Sequence, residues 1–128
     1  MRVDFIMNGR VSSNELNALW HNAWPDHVDR DLIGPLKSCE SYVLAREGAK
    51  LLGFAKVITD GDLHAVLLDV ITHTSARRQG IGRRMVEMLV GDVKAKGCSN
   101  MHVDFEPHNS DFYEALGFSN TAAGLLRI

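Results

Sequence analysis

A chain of 128 residues with 45% hydrophobic content suffices for one compact domain with its own core and is too short for two, so residues 1–128 are read as a single domain. A formal net charge of −2 gives no overall attraction to nucleic acid or to an anionic membrane surface. No apolar stretch reaches the length of a membrane span, residues 1–9 alternate like a strand rather than a secretory leader, and Cys39 and Cys98 lack zinc-ligand spacing, so the expected setting is the cytosol, with no metal.

Val3 to Asn8 reads as a first strand turning at Asn8-Gly9. Ser12-x-x-Glu15 is a capping-box signature, and Leu16, Leu19, Trp20 and Ala23 follow at helical spacing, which predicts a helix to about Trp24, stopped by Pro25. Val28 to Lys37 reads as a second short helix limited by Gly34-Pro35. Ser41 to Arg46 and Leu51 to Thr59 flank the turn at Glu47-Gly48 as an antiparallel hairpin, and Asp60-Gly61-Asp62 leads into an apolar run, Leu63 to Thr72. From Gly82 to Lys96, Met85, Leu89 and Val93 form one helical stripe, joined by Val86 and Val90, and Gly97 ends the helix. Met101 to Phe105 is a strand broken by Pro107. Asn109 or Ser110 then caps a short helix through Leu116, closed by Gly117, and a short strand is expected in Thr121 to Ile128. The order predicts an α/β domain with a mixed sheet and flanking helices.

Between the apolar run and the long helix lies Arg77-Arg78-Gln79-Gly80-Ile81-Gly82. A strand, a glycine-bearing turn and a helix start make an anion cradle, because backbone N–H groups converge where the helix dipole favours negative charge. The segment is not a P-loop, having no Gly-x-x-x-x-Gly-Lys-Ser/Thr. Nor is it a dinucleotide fingerprint, since Met85 stands where a third glycine is needed. Arg77, Arg78, Arg83 and Arg84 crowd the helix start, unfavourably unless an anion binds there.

Arg77-x-x-Gly80-x-Gly82 resembles the Gln/Arg-x-x-Gly-x-Gly/Ala pyrophosphate loop of the GNAT superfamily of acetyl-CoA-dependent N-acetyltransferases. About thirty residues further on, Phe112-Tyr113-Glu114-Ala115-Leu116-Gly117-Phe118 is similar to that family's Phe-Tyr-Glu-x-x-Gly-Phe signature, and Leu68 to His73 resembles its fourth strand. One departure is visible: Thr74 stands where the family commonly has proline, three residues before the loop arginine.

The resemblance implies a mostly antiparallel sheet with abbreviated C-terminal strands, acetyl-CoA as acetyl donor, and direct transfer to a primary amine of a small molecule or peptide. It implies cofactor contacts from Val70, Ile71 and Thr72, from Arg77, Arg78, Gln79, Gly80, Ile81, Gly82 and Arg83, and from Phe112. Asn109 is the candidate for the family's cofactor-binding asparagine, whose place is taken by Glu106. Tyr113 matches the tyrosine that protonates the CoA thiolate, and the backbone of Val70 to Thr72 matches the oxyanion donor. Transfer also needs a neutral amine, hence a base. Asp69, a carboxylate inside an apolar run, is one candidate, against a structural role, and Glu106 is the other. Trp20 reads as core and Trp24 as a wall of the acceptor site. None of the six histidines forms a metal-ligand pair by spacing, and His64 and His73 are minor candidates for carrying protons. The short end leaves a homodimer completed by strand pairing open. A non-catalytic acyl-CoA-binding or interaction module on the same fold is the alternative function.

Overall fold

A computed structural model describes residues 2–128. In chain order they form β1 (Asp4–Met7), α1 (Ser13–Ala23), a 3₁₀ turn (Gly34–Ser38), β2 (Ser41–Glu47), β3 (Lys50–Thr59), β4 (His64–Thr72), α2 (Ile81–Ala95), β5 (Asn100–Val103) and α3 (Ser110–Ala115), with short 3₁₀ turns before α2 and α3. The five strands lie side by side in sequence order. The first three pairings are antiparallel and β4 with β5 is parallel, so the sheet is mixed and mostly antiparallel, as expected.

Strand alternation divides the core into two layers. Leu16, Leu19 and Trp20 of α1 pack with Leu44, Phe54 and Ile71 of the sheet. Met85, Val86, Leu89 and Val93 of α2 pack with Val43, Ala55, Val57 and Leu67. Trp20 is buried, as its stripe position demanded. The α1 start forms the full capping box: Glu15 N–H donates to Ser12 Oγ (3.1 Å) and Ser12 N–H to Glu15 Oε1 (3.0 Å). The Glu15 carboxylate also accepts from both terminal nitrogens of Arg46 on β2, at 2.6 and 3.2 Å, tying the helix start to the sheet.

The structure departs from expectation in three places. Val28 to Lys37 is not a helix beyond the 3₁₀ turn at Gly34–Ser38. Side chains take the hydrogen bonds a helix would need: Asn17 clamps Arg30 through its N–H (3.2 Å) and carbonyl (2.9 Å), and Asp31 Oδ1 accepts from Ile33 and Gly34. The expected strand in Thr121 to Ile128 does not form; residues 119–128 are exposed and without regular structure, so no neighbouring backbone supplies a ladder. β5 stops at Val103 instead of Phe105, and this early stop opens the gap described below.

Candidate functional site

The loop from Thr74 to Gly80 is built by three devices. Gly80 sits in the left-handed region (φ 77°), a conformation that glycine alone adopts without steric cost, and Arg78 beside it is also left-handed (φ 64°). Gly80 occupies the N-cap of α2 and offers no side chain to the helix start. The first intrahelical bond runs from Arg84 N–H to the Gly80 carbonyl, which leaves the amides of Ile81, Gly82 and Arg83 without an acceptor among the described residues. Gly82 is used for close approach: a Cβ there would lie 3.2 Å from Phe112 Cζ and 3.5 Å from Thr72 Oγ1, so its bareness lets the Phe112 ring of α3 close against the loop.

The third device explains the departure from the family pattern. Thr74 N–H donates to Asn22 Oδ1 (2.8 Å), and Asn22 Nδ2 donates to Thr74 Oγ1 (3.0 Å). A proline at position 74 has neither group. This reciprocal pair fastens the loop to the C-terminal turn of α1, next to Ala23 and Trp24.

β4 supplies the second half of the site. Phe54 pairs with Ile71 and Lys56 with Leu68, so β4 carries one residue more than β3 between them, a bulge, with Asp69 left-handed at φ 53°. The Asp69 carboxylate lies 3.1 Å from the half-buried ammonium of Lys56. Parallel pairing with β5 ends at Leu67 opposite Val103, and β4 runs on to Thr72 without a partner on that side among the described residues. The strands part there, and Asp69 and Val70 of β4, Val103 of β5, and Asp104 and Phe105 just beyond it border a gap of about 340 Å³.

Between the gap and the loop stands Tyr113. It is 7% exposed, its ring stacked on Phe105 (4.7 Å between centroids) and edge-on to Phe112 (4.9 Å) and Phe118 (5.6 Å). Among the described residues none hydrogen-bonds its hydroxyl, and burial pushes its pKa above the usual tyrosine value, so it is a protonated donor at neutral pH. The loop borders a cleft of about 630 Å³ that adjoins the gap; Trp24, Val70, Glu106, Asn109 and Tyr113 line both.

Twelve of the fourteen expected site residues therefore border the cleft: Val70, Ile71, Thr72, Arg77, Arg78, Gly80, Ile81, Gly82, Arg83, Asn109, Phe112 and Tyr113. Gln79 does not border it, and Asp69 borders only the gap. Arg83 is held by Glu87 at 2.8 Å, while Arg77 and Arg78 have no carboxylate within 4 Å among the described residues. His64 hydrogen-bonds His102 (2.9 Å), and His73 accepts from Ser75; neither reaches cleft or gap. Sequence reasoning missed His108 and Asp104, which stand on strand and loop ends that carry no motif. It also missed a cluster of His21, His27 and Asp29, whose ligating atoms lie within 4.8 Å of one another. His21 Nε2 and Asp29 Oδ1 there lie 2.5 Å apart, and an exposed turn brings His27 beside them.

The same pattern of elements occurs in known proteins. The model of the acetyltransferase (GNAT) family matches residues 12–118. The chain is 40% identical over 68 residues, 53% of its length, to serotonin N-acetyltransferase 2, chloroplastic, of Oryza sativa subsp. japonica, and spans 34% of that relative. It spans about a third to a half of the length of the first curated relatives it matches. A GNAT-family acetyltransferase from Streptococcus pneumoniae superposes with a TM-score of 0.85 at 21% identity, covering 99% of this chain and 98% of the other. Aminoglycoside acetyltransferase AAC(6')-Iy in complex with a CoA bisubstrate analogue superposes with a TM-score of 0.80 at 19% identity, covering 100% of this chain and 98% of the other. The last two show a shared fold; the family model, spanning the α1 cap, the glycine loop and the Tyr113 helix in one match, shows that the chain belongs to the GNAT acetyltransferase family.

Proposed function

We propose that the protein is an acetyl-CoA-dependent N-acetyltransferase that passes acetyl directly to a primary amine. The observation that carries this reading is the convergence of three features on one cleft: the open amide start of α2, the unpaired edge of β4, and a Tyr113 hydroxyl with no partner among the described residues. The residues suit the donor. Uncapped amides and the guanidinium groups of Arg77 and Arg78, which have no carboxylate within 4 Å among the described residues, fit its phosphates, and the β4 edge from Val70 to Thr72, which borders the cleft, offers the peptide-like pairing that an amide-rich arm requires.

The chemistry then follows from the chain's own groups. The amine nitrogen attacks the thioester carbon, and the Val70 to Thr72 amides stabilise the oxyanion. As the C–S bond breaks, the Tyr113 hydroxyl gives its proton to the sulfur. The amine's proton leaves toward Glu106, which borders both cleft and gap and has no cationic partner among the described residues. Asp69 is assigned a structural role, because Lys56 holds its carboxylate. The relatives' names state an amine acceptor for serotonin N-acetyltransferase and an aminoglycoside for AAC(6')-Iy. The free thiols Cys39 and Cys98 fit a reducing compartment, the cytosol on this reading; plant relatives are named chloroplastic, and cell fractionation is the check.

The test is Tyr113→Phe. Its rings keep their stacking, so acetyl-CoA binding by calorimetry and the melting temperature should hold, while thiol release with amine falls about a hundredfold or more. Unchanged release removes Tyr113 as the acid, and acetyl-CoA binding by the wild type with no transfer to any amine favours a non-catalytic module.

A further inference from the structure

We infer that the gap beside β4 selects its acceptor by charge, taking a small cationic amine with an apolar body and rejecting amines that carry a carboxylate or phosphate. This rests on the acetyl-transfer reading and adds the acceptor's class to it. Three carboxylates border the gap: Asp69, Asp104 and Glu106. Lys56 offsets the first. Asp104 and Glu106 are exposed and lie within 4 Å of no cationic group among the described residues. Among the described residues no lysine, arginine or histidine lines the gap, whereas Arg77, Arg78 and Arg83 line the adjoining cleft. The site is thus positive at one end and negative at the other. Tyr113, 7% exposed and with no hydrogen-bond partner for its hydroxyl among the described residues, lines both ends, which marks their junction as the place of reaction.

An alkylamine reaches the protein as an ammonium ion, since its pKa is near that of lysine at about 10.4. Two uncompensated carboxylates raise its local concentration, and the half-exposed indole of Trp24 adds a cation–π face. An acceptor with its own carboxylate meets like charge from Asp104 and Glu106, and each close pair weakens binding about tenfold. Apart from Asn109, the rest of the lining is apolar: Leu67, Leu68, Val70, Val103, Phe105 and the Tyr113 ring. A volume of about 340 Å³ holds roughly eleven water-sized groups at ~30 Å³ each, the size of a short alkyl or arylalkyl amine.

A matched pair isolates the charge. 2-Phenylethylamine and L-phenylalanine share ring and chain and differ by one carboxylate; 1,4-diaminobutane carries the charge without the apolar body. With acetyl-CoA saturating, kcat/KM for phenylethylamine should exceed that for phenylalanine at least a hundredfold and that for diaminobutane at least fivefold. In Asp104→Asn the first ratio should fall about tenfold through a higher KM for phenylethylamine, with acetyl-CoA affinity unchanged by calorimetry. Comparable turnover of phenylalanine, or a ratio unmoved in Asp104→Asn, overturns charge selection and leaves the transferase reading intact. Preference for diaminobutane overturns the apolar body. Acetyl-CoA binding with transfer to none of the three, nor to any other amine, overturns the transferase reading and this inference with it.

Discussion

Replacing Thr74 with proline, the residue the family commonly has there, should destabilise this protein. The backbone itself is permissive: His73 before it is extended (ψ 139°), and position 74 opens a 3₁₀ turn, where proline is at home. Taken alone, the lower entropy of the unfolded chain would add about 0.4–1 kcal/mol of stability. Against this, the substitution deletes the N–H that donates to Asn22 Oδ1 and the hydroxyl that accepts from Asn22 Nδ2. Each such bond is worth about 1 kcal/mol net. The expected balance is a loss of roughly 1–1.5 kcal/mol, or about 3–6 °C in melting temperature for a chain of this length. The sign should reverse once Asn22 is alanine, because nothing remains to lose. Thr74→Pro in the Asn22→Ala background should then gain about 0.5 kcal/mol, a coupling of roughly 2 kcal/mol in a double-mutant cycle read by urea denaturation. A stabilising Thr74→Pro in the wild-type background, or a cycle that closes without coupling, refutes the account.

Three further outcomes are expected. Arg46 hydrogen bonds lower the Glu15 pKa from 4.5 to about 2, so its contribution is fully present above pH 4.5 and is lost as pH falls through about 2; discounted for a side chain one-third exposed, it amounts to about 1–2 kcal/mol, and a Glu15→Gln variant should show a flatter stability curve between pH 4.5 and 2 by urea titration. Gly82→Val places a branched side chain against Phe112, whose Cζ lies 3.2 Å from the new Cβ, and should weaken acetyl-CoA binding by tenfold or more in calorimetry while the far-ultraviolet dichroism stays that of the wild type. Asp69→Asn keeps a residue that tolerates a left-handed backbone but removes the charge facing Lys56; stability should fall by about 1 kcal/mol with kcat within about threefold, and a hundredfold loss of kcat at unchanged stability would reinstate Asp69 as the base.

What the sequence made legible was local. The glycine loop and the Phe112-Tyr113 pair are read within a few residues, because a helix start and a short amphipathic turn are specified by their neighbours. What escaped depends on contacts across the chain. Asn22 and Thr74 are 52 positions apart, and nothing in either neighbourhood announces the pair. Asp69 looked like a carboxylate in search of a function until β3 placed Lys56 beside it. The segment from Val28 to Lys37 has helix-compatible residues, yet buried Asn17 claims its backbone from a distance of 13 positions. Exposure marks the tail: Leu125, Leu126 and Ile128 are apolar, yet they stay exposed and pair with no strand among the described residues.

Asp69 is also a supernumerary residue. On either side of it, β3 and β4 face each other in step: Leu67 opposite Val57 on the α2 layer, Ile71 opposite Phe54 on the α1 layer. A strand with that one position excised would keep every core residue on its own face and regain an unbroken ladder. Packing therefore has no use for it. Its effect is to bend β4 where the neighbouring strand falls away, and so to leave the sheet unfinished beside the cleft, where a guest molecule can complete it.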